Sequence, residues 1–236
     1  MNTTDNHDKP AIVLVHGAFA DGSGWRHVIP LLELDGYAVI AVQNPLTSFG
    51  DDVATTKRVI DAQAGSVVAV GHSYGGAVIT AAAAGNPHVK ALVYVAAFAP
   101  DSGERISELL DRYGPTPLSM ALAPDGAGFL YIDRARFHDV VAKDVSLAEA
   151  RVMAATQKPI AGAAFGGSVD TPAWKTIPSW YLVAQEDQAI KPELQRFMAK
   201  RMGAHATEIK SSHVPFISRP KEVAKLIKEA ASAAAT

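Results

Sequence analysis

The stretch Val67–Ala84, VVAVGHSYGGAVITAAAA, constrains this chain more than any other. Its β-branched, apolar opening, with Val67, Val68 and Val70, predicts a buried strand. Gly71-His72-Ser73-Tyr74-Gly75 then turns the chain, and an alanine-rich run predicts a helix. Strand, G-x-S-x-G turn and helix, in that order, describe a nucleophile elbow. Ser73 at the tip of so tight a turn is forced towards strained backbone angles, so the residues two positions either side must be small. Gly71 and Gly75 meet that need, and Gly76 adds clearance. The hydroxyl is then presented at the start of a helix, where free N–H groups and the helix dipole favour developing negative charge.

Around this stretch the chain alternates. Ala11–Val15, Tyr37–Val42, Val89–Ala97, Pro178–Ala184 and Ala206–Lys210 predict strands. Helices are expected after the His16–Trp25 loop to about Leu34, from Asp51-Asp52 through Ala64, and over Pro192–Met202 and Pro220–Ala233. Such alternation predicts an α/β fold, a doubly wound, mostly parallel sheet with helices on both faces. The core is expected over 10–99 and 177–234, with a flexible tail over 1–9. Between 100 and 176 the alternation fails: prolines stand at 115, 117, 124, 159 and 172. The short amphipathic pieces Ile106–Tyr113, Ala135–Lys143 and Leu147–Thr156 predict a mostly helical cap insertion there. A chain of 236 residues is long enough to bury one good-sized core.

A serine hydroxyl needs a base within hydrogen-bond reach and an acid to orient that base. In a doubly wound sheet both belong at the carboxyl ends of later strands. His213, directly after the last strand, is the expected base, and the loop after the preceding strand offers Glu186 or Asp187 as the acid. An oxyanion site needs two N–H groups: Tyr74, after the nucleophile, and Ala18, in the His16-Gly17-Ala18-Phe19 loop, are the expected donors. Gly17 lets that loop approach closely, and Gly17, Phe19 and Val214 are expected beside the substrate. His72 and His16 are expected to hold structure rather than react. Gly162–Gly167 lacks the lysine of a phosphate loop and is not expected to follow a strand.

Composition excludes several other classes. No cysteine is present, which removes disulfides, thiolate metal sites and a cysteine nucleophile. A formal charge of −2 without basic blocks points away from nucleic acid. No histidine or carboxylate spacing suggests a metal, and no cofactor is expected. No apolar run reaches the length of a membrane span, and the polar N-terminus lacks a signal pattern, so a cytoplasmic location is expected. The oligomeric state is left open, a homodimer included.

Taken together, LVHGAF…GSGW, GHSYGG, Asp187-x4-Pro192-x2-Gln195 and SSHVPF resemble the α/β-hydrolase superfamily. More narrowly they are similar to its branch of plant methylesterases, hydroxynitrile lyases and bacterial esterases. The order Ser73…Asp187…His213 is the one that family uses. The resemblance implies Ser73 as nucleophile, His213 as base, Ala18 and Tyr74 as oxyanion donors, and Asp187 over Glu186 as acid. The lyases of this branch carry Thr after the first-loop His and Lys after the catalytic His; here those positions are Gly17 and Val214. Valine cannot stabilise departing cyanide, so the resemblance implies hydrolysis of a small, largely uncharged carboxylic ester. Lactonase, amidase and cofactor-free perhydrolase activity, or a ligand receptor retaining the pocket, are the alternatives.

Overall fold

The computed structural model describes residues 9–234, so the expected tail lies outside the described residues apart from Lys9. In chain order the elements are β1 (Ala11–Val15), a 3-10 turn (Gly22–His27), α1 (Ile29–Glu33), β2 (Val39–Ala41), α2 (Phe49–Asp61), β3 (Val67–His72), α3 (Tyr74–Ala82) and β4 (Val89–Val95). An excursion follows, with α4 (Ile106–Asp111), β5 (Leu122–Pro124), β6 (Phe129–Ile132), α5 (Phe137–Val141), α6 (Leu147–Thr156) and β7 (Ile160–Ala161). The chain closes with β8 (Ser179–Ala184), α7 (Pro192–Met202), β9 (His205–Ile209), α8 (Pro215–Ser218) and α9 (Pro220–Ala234).

Six strands form one sheet in the order β2-β1-β3-β4-β8-β9, with every neighbouring pair parallel. The inner strands are apolar without alternation because both of their faces are covered; all six residues of β3 and of β8 are buried. Right-handed crossovers fix the layers. The chain steps one way from β1 to β2 and the other way from β2 through β3 to β4, so α1 lies on one face with α9 while α2 and α3 share the other. The reversal falls between β1 and β3, which pair from Ala11↔Val67 to Val15↔Gly71. Loops leaving those two carboxyl ends diverge to opposite faces and open a crevice, where doubly wound sheets place their ligands.

Several expected boundaries shift. The segment Gly22–His27, expected mostly as loop, is a 3-10 turn capped by the Asp21 carboxylate on the Ser23 N–H at 2.7 Å. The strand expected over Tyr37–Val42 is reduced to Val39–Ala41 at the sheet edge. Residues 100–176 carry helices at all three expected places, α4, α5 and α6, and differ by one unexpected addition. That addition is a second, antiparallel sheet in the order β5-β6-β7. Gly162 therefore does follow a strand, and Gly162–Gly166 forms a 3-10 turn. Pairing partners as far apart as Leu130 and Ile160 supply these strands, and local periodicity cannot register such pairs. Among the described residues no helix is long and apolar enough to cross a membrane.

Candidate active site

Ser73 sits between β3 and α3 at φ 51° and ψ −123°, a region that side chains rarely adopt. Hydrogen bonds on both sides hold it there. The Ser73 N–H donates to Val95 O at 3.3 Å, and its carbonyl accepts from Gly76 at 3.0 Å and Phe98 at 3.0 Å. The side chain thereby faces the crevice, where it stands beside the start of α3. The Tyr74 N–H, at the opening position of that helix, has no acceptor within the helix.

His213 reaches the elbow from the loop after β9. Its Nε2 lies 2.9 Å from Ser73 Oγ, and its Nδ1 lies 2.7 Å from Asp187 Oδ2. Asp187 is fully committed. Its Oδ1 accepts the N–H groups of Ala189 at 2.7 Å and Ile190 at 3.0 Å, and its Oδ2 also accepts from Gln195 Nε2 at 2.7 Å. Gln195 in turn receives the Ala184 N–H at 2.9 Å and donates to Ile190 O at 2.8 Å, tying the Asp187 loop to α7 and the end of β8. A carboxylate so surrounded is oriented as well as buried. Glu186 is exposed, 4.0 Å from Lys210 Nζ.

A further histidine, His72, holds the surrounding loops. His72 Nε2 donates to the main-chain oxygen of His213 at 2.8 Å, and the two rings lie 4.7 Å apart. A carbonyl can only accept, so the proton of His72 is on Nε2. Gly17 backs onto this pair rather than lining the cavity; a Cβ there would stand 2.8 Å from Ser73 Cβ and 2.9 Å from His72 Nδ1. Phe19, at φ 61°, turns its side chain towards the cavity, and Trp25 packs on Phe216 with centroids 4.7 Å apart. That contact sets the first loop against the loop of His213.

A buried carboxylate stands behind the elbow. Asp52, expected only as an acidic first-turn residue, is fully buried. It accepts Tyr74 Oη at 2.7 Å and the Leu46 N–H at 2.8 Å. Burial pushes its carboxyl above the usual range. The Tyr74 ring, in edge contact with Phe49 and Phe165, thus braces the first turn of α3 from behind.

The crevice holds a cavity of about 480 Å³. Ala18, Phe19, Ser73, His213, Val214 and Phe216 line it from the sheet side, and Leu118, Leu130, Ile132, Phe137, Val141, Met153 and Phe165 from the excursion. Its acidic and basic wall residues, apart from His72 and His213, are Asp21, Arg26 and Asp111. Arg26 and Asp111 are exposed, and Arg26 is paired with Glu149 of α6. The inner walls are therefore apolar and of ligand size.

Two of the buried histidines, His16 and His72, make stability depend on pH. Burial lowers His16 from 6.5 to about 4 and takes His72 well below 6.5. Between pH 6.5 and 4 the unfolded chain binds protons that the folded chain refuses, so stability is lost as pH falls through that window. His16 alone contributes about 3 kcal/mol of this loss by pH 4. Asp52 acts in the opposite sense, since its raised carboxyl binds a proton more readily when folded. Melting temperature measured from pH 8 to pH 4 is expected to fall steadily below pH 6.5; a flat profile would contradict the neutral assignments.

Comparison with known proteins agrees with this architecture. Methylesterase 1 of Arabidopsis thaliana is 26% identical, over 91% of this chain and 93% of that protein. The pyrethroid hydrolase of Sphingobium wenxiniae is 27% identical, over 95% of this chain and 88% of its own. A solved structure of the pyrethroid hydrolase PytH superposes with a TM-score of 0.82 at 25% identity, covering 96% of this chain and 98% of that one. A family model described as the alpha/beta hydrolase family matches residues 12–226, and the chain belongs to that family.

Proposed function

We propose that the protein is a serine esterase acting on small or medium carboxylic esters without charge near the ester bond. The carrying observation is the hydrogen-bonded line from Ser73 Oγ through His213 to Asp187, opening on an apolar cavity. Ser73 Oγ attacks the ester carbonyl carbon while His213 Nε2 takes its proton. Asp187 keeps the other proton on Nδ1 and stabilises the imidazolium. The Ala18 and Tyr74 N–H groups receive the oxyanion. Collapse expels the alcohol, which takes the proton from Nε2 and leaves Ser73 acylated. Water, deprotonated by His213, then releases the acid. No step calls for a cofactor. Residues 100–176 serve as the cap that supplies the apolar wall, and relatives named as esterases and hydrolases support the reaction class.

The test is hydrolysis of p-nitrophenyl esters of increasing acyl length, with a hemisuccinate ester for comparison. Turnover is expected to peak at a medium chain, and the hemisuccinate is expected to be a poor substrate because its carboxylate must enter an apolar cavity. Mass spectrometry of a rapidly quenched reaction should find the acyl group on Ser73. No turnover anywhere in the series, and no acylated serine, would sink the proposal.

A further inference from the structure

The loop carrying Ala18 is connected to the excursion by a series of hydrogen bonds. Lys158, two residues beyond α6, donates its Nζ to the main-chain oxygen of Asn44. The Asn44 N–H donates to His16 Nε2 at 3.1 Å. Because an N–H can only donate, Nε2 carries no proton, and the neutral ring's proton sits on Nδ1. From there it is donated to Gly17 O at 2.8 Å. Asn44 is also gripped through its side chain, whose Oδ1 accepts Thr56 Oγ1 at 3.1 Å.

The end of this series is the informative part. The Gly17 oxygen and the Ala18 N–H belong to one planar peptide unit. A bond to the oxygen stops that plane from rotating and polarises the amide, making its N–H a stronger donor. Burial holds His16 neutral near neutral pH, and its two hydrogen bonds fix which nitrogen carries the proton. Asn44 is held at three atoms, its carbonyl oxygen, its N–H and its side-chain Oδ1. Lys158 is the one member of the series that comes from the excursion.

We propose that Lys158 is a positioning residue for the oxyanion site, setting the Gly17–Ala18 peptide plane through Asn44 and His16. The reaction then depends on how the cap is seated, although Lys158 touches no substrate. This proposal rests on the esterase reading above. Direct contact with substrate would change KM; a misplaced donor weakens only the state that bears the oxyanion.

The experiment compares wild type, Lys158→Met and Lys158→Arg on the best p-nitrophenyl ester. It adds inhibition by a trifluoromethyl ketone, whose adduct with Ser73 carries an oxyanion. Lys158→Met is expected to lose about tenfold in kcat with KM within about twofold. Its affinity for the trifluoromethyl ketone should fall in parallel, with the melting temperature nearly unchanged. Lys158→Arg should restore both. In the Lys158→Met background, His16→Gln should cost less than it does alone, because the two act through one series. A Lys158→Met enzyme with wild-type kcat would overturn the proposal and leave the esterase reading intact. A loss confined to KM or to melting temperature would also overturn it, identifying Lys158 as a cap fastener only. A wild type that turns over no ester would remove both.

Discussion

Ser73→Ala is expected to lower kcat for ester hydrolysis by about 10⁶-fold while the protein folds normally. The substitution removes one oxygen, whose hydrogen-bond partner is His213 Nε2 at 2.9 Å. Alanine tolerates the φ of 51° no better and no worse than serine, and the main-chain bonds that hold the elbow do not involve the hydroxyl. Melting temperature should therefore stay within a few degrees of wild type. Adding His213→Ala should cost little more, because the base has nothing to deprotonate once the hydroxyl is gone. Independent, multiplying losses from the two substitutions would show that they do not work as one unit. Substantial activity remaining in Ser73→Ala would move the nucleophile elsewhere.

The second large effect concerns folding. Gly75→Ala is expected to destabilise the protein by about 3 kcal/mol or more, or to prevent its accumulation in folded form. A Cβ at Gly75 would stand 2.5 Å from Val15 O and 2.6 Å from His16 O. Both are main-chain atoms at the end of β1, so no side chain can swing aside. Relief requires α3 to move away from β1, which would also pull the Tyr74 N–H away from the Ala18 loop. Urea denaturation of Gly75→Ala beside Gly65→Ala, where a Cβ meets nothing within 4 Å, measures the difference. Equal stability of the two variants would show that the elbow is not packed this tightly.

The readable parts of the sequence were those whose cause is local. Strands buried on both faces must be apolar throughout, so β1, β3, β4 and β8 stood out as continuous runs. The elbow announced itself because two glycines and a serine must fall at fixed spacing. Ser73, His213 and the pair Glu186 and Asp187 were placed by their position at strand ends, the family resemblance chose Asp187, and the fold sets His213 within hydrogen-bond distance of both Ser73 and Asp187. What stayed hidden depends on partners distant in sequence. The β5-β6-β7 sheet uses a strand containing Pro124 and another of two residues, neither long enough to alternate. Asp52 looked like a helix-start charge because nothing near it in the chain reveals that Tyr74 will meet it inside. Gln195 was visible only as a spacing, and its grip on Asp187 requires α7 to be seated against β8.

The excursion leaves the sheet after β4 and returns into β8, and these two strands are immediate neighbours. Bridges between Ser102 and Val169 and between Arg105 and Ser168 draw its two ends together into a neck. Its length can therefore change without altering the spacing of any strand beneath it. Evolution, or a designer, can exchange this upper wall as a cassette and so change which molecules are admitted, while Ser73, His213 and Asp187 stay on the sheet side. Lys158 sets the terms of that exchange. A transplanted wall that brings no donor for the Asn44 carbonyl would admit new substrates yet process them slowly.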